Sequence, residues 1–82
     1  MQTDARITLD LHGKNTYQAK VAVDAALRRA GGAYELCLIH GYHTGSAIRD
    51  MLKDEYGAHP RVLSLEQGDN AGQTRLILRR LS

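Results

Sequence analysis

Arg6-Ile7-Thr8-Leu9-Asp10-Leu11-His12-Gly13 alternates in character, with Ile7, Leu9 and Leu11 on one side and Arg6, Thr8, Asp10 and His12 on the other. This period of two marks a half-buried strand, one face on a core and the other in water. Gly13 ends the run. Asn15 or Thr16 then serves as N-cap of a helix reaching about Ala30, and Gln18 is placed to complete a capping box from Asn15. Ala19, Val23, Ala26, Leu27 and Ala30 form its apolar stripe, and Gly31-Gly32 stops it.

Reading outward, Tyr34 to His40 contains a short continuous apolar run, which fits a strand buried on both sides. After a polar loop over Tyr42 to Gly45, the segment Ser46 to Tyr56 places Ile48, Met51, Leu52 and Tyr56 on one helical face. Gly57 closes that helix, and His59-Pro60 enforces an extended entry to a strand over Arg61 to Glu66. The turn-rich loop Gln67 to Gly72 leads to a last strand, Gln73 to Arg80. The expected order is β-α-β-α-β-β in one domain over residues 1–82. The expected class is an α/β, α+β-like two-layer sandwich: a mixed four-stranded sheet with two helices on one face. Both helices share a face only if the strand order does not reverse between the two crossovers, and periodicity does not supply that order.

With 82 residues, 43% of them hydrophobic, the chain supports one modest core. Its only aromatic residues are four tyrosines, too few for a base-stacking platform of several rings. The net charge of +2 rests on eight arginines and three lysines against nine acids, a balance that permits phosphate contacts. The lone Cys37 sits in an apolar run, as a buried inert thiol of a reducing compartment would. No apolar stretch approaches the roughly 18 residues of a membrane span. The amino terminus lacks a signal-peptide pattern, so a cytoplasmic protein without membrane attachment is expected. A core this small is compatible with a monomer or a weak homodimer.

Asp10 and His12 leave the same face at the C-terminal end of their strand, where open α/β sheets place ligands. Same-face neighbours stand roughly 6–7 Å apart between α carbons, so a direct bond and bridging through substrate, water or metal all stay open. Asp10 as a simple turn cap is the plainer alternative. His40-Gly41 occupies the corresponding end of the second strand, and two helix N-termini should converge there, favouring a phosphate. His12 suits general acid/base work with Asp10 orienting it. His40 serves equally well as a buried hydrogen-bonded residue. Arg75 and Arg79 alternate on the last strand and are expected on the same open sheet face as Arg6, where they would track a phosphate backbone or merely solvate the sheet. His43 is a surface loop residue within reach of phosphate, and His59 reads as ordinary loop. The ligand spacings of a structural zinc site are absent, so no metal or other cofactor is expected. A loosely held Mg²⁺ or Mn²⁺ between Asp10 and a substrate phosphate is the weaker alternative.

Three stretches together resemble the Smr (small MutS-related) domain family. Leu9-Asp10-Leu11-His12-Gly13 resembles its first motif. Ile39-His40-Gly41, with Thr44-Gly45 and Ile48-Arg49, resembles the second, and Asn70-Ala71-Gly72-Gln73-Thr74 before Leu76-Ile77-Leu78 resembles the last glycine turn and strand. The resemblance implies the same β-α-β-α-β-β fold and an endonuclease that nicks DNA or cleaves RNA. It implies Asp10 and His12 as catalytic residues. Phosphate or substrate contact falls to Gly13, His40, Gly41, His43, Thr44 and Gly45, with Arg75 and Arg79 added from the charge reading. One departure stands out. Many members carry Gly-x-Gly in the second loop, whereas this chain has Gly41-Tyr42-His43, and His43 is then a candidate to contact phosphate instead. A non-catalytic nucleic-acid-binding or ribosome-associated module is the competing reading, and a protein-interaction domain is a third.

Overall fold

A computed structural model of the chain describes residues 6–41 and 45–79. The elements follow the expected order: β1 (Arg6–Asp10), α1 (Thr16–Arg28), β2 (Glu35–Ile39), α2 (Gly45–Tyr56), β3 (Ser64–Gln67) and β4 (Gln73–Ile77). They build one sheet with strand order β1-β2-β4-β3. β1 is parallel to β2, and β4 is antiparallel to both of its neighbours. The sheet is mixed because α2 carries the chain past one vacant strand position to β3. The turn after β3 then folds β4 back into that gap. Both crossovers advance in the same direction, so α1 and α2 lie side by side on one face and pack on each other.

The central positions of β2 and β4 explain their burial. Leu36, Leu38 and Leu76 point at the helices and join Leu11, Val23, Leu27, Ile48, Leu52 and Tyr56 in one core. Each such side chain stabilises the fold by about 1.5–3 kcal/mol through burial alone. On the other face of β2, Cys37 is also buried, which pushes its thiol pKa up and leaves it inert. The start of α1 is the expected capping box: Asn15 Oδ1 accepts the Gln18 N–H at 2.8 Å and Gln18 Oε1 accepts the Asn15 N–H at 3.0 Å.

Several boundaries differ from the sequence reading, three of them for visible reasons. β1 ends at Asp10 and not at His12, because the chain turns there. β3 begins at Ser64, three residues late. The Arg61 N–H donates to His59 Nδ1 at 3.0 Å and the Val62 N–H to the His59 carbonyl at 3.0 Å, so Pro60 and Arg61 form a turn that drops Val62 into the core. β4 ends at Ile77, which pairs with the first residues of both its neighbours, Glu35 and Ser64.

Among the described residues Tyr56 is the one aromatic in the core, and its hydroxyl donates to Asp24 Oδ1 at 2.6 Å. Burial raises the Tyr56 pKa well above its ordinary value of 10.0, and the Asp24 carboxylate adds to the effect. A raised pKa in the folded state means that this stability is fully present below about pH 10 and is lost as pH climbs towards the folded value. Tyr56→Phe is expected to cost about 1–3 kcal/mol at pH 7. It should also flatten the alkaline fall in stability, which denaturation measured at several pH values would reveal. Equal alkaline sensitivity in both proteins would contradict the assignment.

Candidate functional site

β1 delivers Asp10 to the end of the sheet, and the turn that follows swings His12 back over it. Asp10 Oδ1 accepts the His12 backbone N–H at 3.0 Å and lies 3.3 Å from His12 Nδ1. One oxygen thus caps the turn and orients the ring. The two roles that the sequence leaves as alternatives coexist, and the contact is direct because the residues do not continue as an extended strand. Their side chains are 62% and 76% exposed, respectively. The His12 backbone N–H, aided by its ring and by Lys14, holds the Asp10 carboxyl below the usual carboxylate range despite a small opposing desolvation. An ionised acceptor at Nδ1 selects the Nδ1–H tautomer, which leaves the Nε2 lone pair directed away from Asp10.

Gly13 and Gly41 follow the two strand ends with φ of +81° and +84°. That left-handed backbone disfavours any side chain and is what turns each strand towards its helix. Gly13, Lys14, Asn15 and Thr16 line one side of an open groove, and Ala47 and Ile48 of α2 line the other. The Asn15 side chain satisfies the N–H of Gln18, while the N–H groups of Thr16 and Tyr17 belong to the unbonded first turn. These donors and the positive end of the helix dipole suit an anion. Gly45 is the first residue of α2. His43 and Thr44 lie outside the described residues.

His40 points the other way. Its ring is 1% exposed, with Nδ1 3.1 Å from the Gly41 carbonyl and Nε2 2.9 Å from Thr74 Oγ1. Since the carbonyl can only accept, Nδ1 carries a proton, and in the neutral ring the Thr74 hydroxyl donates to Nε2. The Gly72 carbonyl accepts the N–H groups of both His40 and Gly41, at 2.9 and 3.0 Å. Together these bonds clamp the end of β2 to the start of β4.

Arg6, Arg75 and Arg79 do not gather in one strip. Arg75 shares the open sheet face with Arg6, as expected, but both flank the buried Glu35: Arg6 Nε is 2.9 Å and Arg75 Nη1 3.4 Å from its carboxylate. Arg75 also meets Glu66 at 2.7 Å. Arg79 does not alternate with it on the strand. It lies beyond β4, and its Nη1 donates to the Gly32 carbonyl at 3.2 Å, at the end of the sheet opposite Asp10. Sequence reasoning alone misses Glu35 and Thr74. The signal for Glu35 is a charge at the start of an otherwise apolar central strand, and for Thr74 its place just after the final glycine turn. Among the described residues no three His, Cys, Asp or Glu side chains gather to hold a metal ion. No helix among the described residues is long and apolar enough to cross a membrane.

The Smr domain family model matches residues 9–77, from the first motif to the end of β4. Among solved structures, the chain is similar to the Smr domain of Thermus thermophilus MutS2. The two are 31% identical over 90% of this chain and 99% of that one, with a TM-score of 0.80. No curated protein matches the chain. The motif positions, the strand order that brings them together and the agreement of fold and sequence have one reading: the chain belongs to the Smr domain family, a family of nucleic-acid-binding, nuclease-like domains.

Proposed function

We propose that this Smr domain is a cytoplasmic endonuclease that nicks DNA or cleaves RNA, with His12 as the acid/base and Asp10 as the group that orients it. The observation that carries the reading is the single Asp10 oxygen shared by the His12 N–H and Nδ1 on an exposed sheet end. With Nδ1 held by the carboxylate, Nε2 is the atom that takes a proton from an attacking water or 2′-hydroxyl. The same atom returns it to the leaving oxygen as the P–O bond breaks. Gly13, Gly41 and Gly45 shape the backbone around the phosphate, and the first-turn N–H groups of Thr16 and Tyr17 supply its donors. His40 supports this machinery from beneath, by fixing the Gly41 loop. Arg75 serves the sheet through Glu35 and Glu66, and Arg79 is too distant to touch the phosphate being cleaved.

The test is cleavage of supercoiled plasmid and of structured and unstructured RNA by the purified protein, with and without chelator, alongside binding at rising salt. Cleavage that survives chelator would mark a metal-independent reaction, whereas its loss would mark a Mg²⁺ or Mn²⁺ bridged to Asp10. Affinity should fall steeply with salt as phosphate contacts release counterions. Binding of both nucleic acids with turnover of neither would favour the second reading, a non-catalytic or ribosome-associated binding module. The groove between the two helix N-termini supports that reading equally well, since it offers an anion site without chemistry.

A further inference from the structure

We infer that Gln73 is a substrate-positioning residue, part of a shelf Asp10–Ile39–Gln73 that seats the nucleotide next to the cleaved bond. The inference rests on the nucleic-acid reading above. Asp10 pairs with Ile39 across β1 and β2, and Ile39 pairs with Gln73 across β2 and β4, so the three side chains stand in one row on the face away from the helices. Two strand steps of about 4.8 Å separate the ends of the row by roughly 10 Å, the scale of one nucleotide. Ile39 and Gln73 are half-buried and Asp10 is exposed, which makes an apolar floor with a carboxylate at one end and an amide at the other.

The Gln73 amide is held in place. Its Oε1 accepts the Asp69 backbone N–H at 3.1 Å and lies 3.9 Å from Cys37 Sγ. Gly68 passes so close that a Cβ there would sit 2.6 Å from Gln73 Cβ and 2.8 Å from its Oε1. Flipping the amide would aim its NH₂ at the Asp69 N–H, so Oε1 stays inward and the two Nε2–H donors face out. Among the described residues nothing accepts from Nε2. Of the three side chains in this row, Gln73 is the one that carries N–H donors. A fixed pair of donors beside an apolar floor fits a nucleotide that offers an oxygen acceptor, either a flanking phosphate oxygen or a base carbonyl.

Two variants separate this role from a structural one. Gln73→Glu keeps an oxygen for the Asp69 N–H but removes both donors, and Gln73→Met removes the donors without adding charge. Both are expected to raise KM about tenfold, the loss of one hydrogen bond of about 1.4 kcal/mol, with kcat within about twofold and Gln73→Glu no less stable than wild type. A purely structural Gln73 predicts the reverse, with Gln73→Glu silent and Gln73→Met impaired only through stability, and that result would overturn the inference. Substrates with an abasic site beside the cleaved bond distinguish the acceptors. Convergence of wild type and Gln73→Met assigns a base carbonyl, and a persistent difference assigns a phosphate oxygen. If wild type binds without cleaving, Kd takes the place of KM. If wild type works and both variants match it, Gln73 alone is wrongly assigned. If wild type neither cleaves nor binds nucleic acid, the functional reading fails and Gln73 falls with it.

Discussion

Asp10→Asn and His12→Ala are each expected to lower the rate of cleavage by about 10²–10⁴-fold, the range associated with a positioned acid/base group, while binding stays within about twofold. Asparagine is the informative choice at residue 10. It forms Asx turns as readily as aspartate, so its Oδ1 keeps accepting the His12 N–H and the turn survives. What disappears is the charge beside Nδ1 that selects the tautomer. The carboxyl is held below the usual range by the His12 N–H, so at neutral pH it is ionised in the wild type and the comparison removes one full charge. A turn cap with no part in chemistry predicts full activity in Asp10→Asn. Wild-type rates in that variant and in His12→Ala, with contaminating nucleases excluded, would refute the mechanism.

His40→Ala should act on stability instead. The buried imidazole closes the gap between the Gly41 carbonyl and Thr74 Oγ1, and alanine leaves both groups unpaired over a cavity. Unpaired buried groups cost about 1–3 kcal/mol each, and a net loss of about 2–4 kcal/mol is expected once partial collapse is allowed. For a domain of this size that corresponds to a fall in Tm on the order of 10–25 °C. Chemical denaturation measures it directly. Well below that melting temperature the folded variant should retain most of its kcat, because the ring does not reach the surface. An unchanged midpoint with sharply weaker nucleic-acid binding would place His40 in contact with the ligand and dismantle the clamp.

Much of the molecule is legible in the amino-acid sequence alone. The alternation over Arg6 to His12, the Asn15–Gln18 box and the apolar stripe from Ala19 to Leu27 depend on interactions between near neighbours in the chain, and all three are present. The two strand-end motifs are legible for the same reason, since a histidine and a glycine at the end of a strand reveal a turn locally. Element ends are less so. β3 starts at Ser64 because His59 staples Arg61 and Val62 into a turn, a contact that periodicity does not register.

The sequence by itself determined the order of strands and helices, the apolar faces of β1 and of both helices, and that Asp10 and His12 lie at one strand end. Only the tertiary structure decided the insertion of β4 between β2 and β3. That placement turned Arg75 into a partner of Glu35 and Glu66, carried Arg79 to the far end, locked His40 against Thr74 and set Gln73 in the row of Asp10. The physical reason is range. Patterning and capping report forces acting over a few residues, whereas the meaning of a charge or an imidazole is set by whichever strand lies about 4.8 Å to its side, and residues 35 and 75 become neighbours only when the sheet closes.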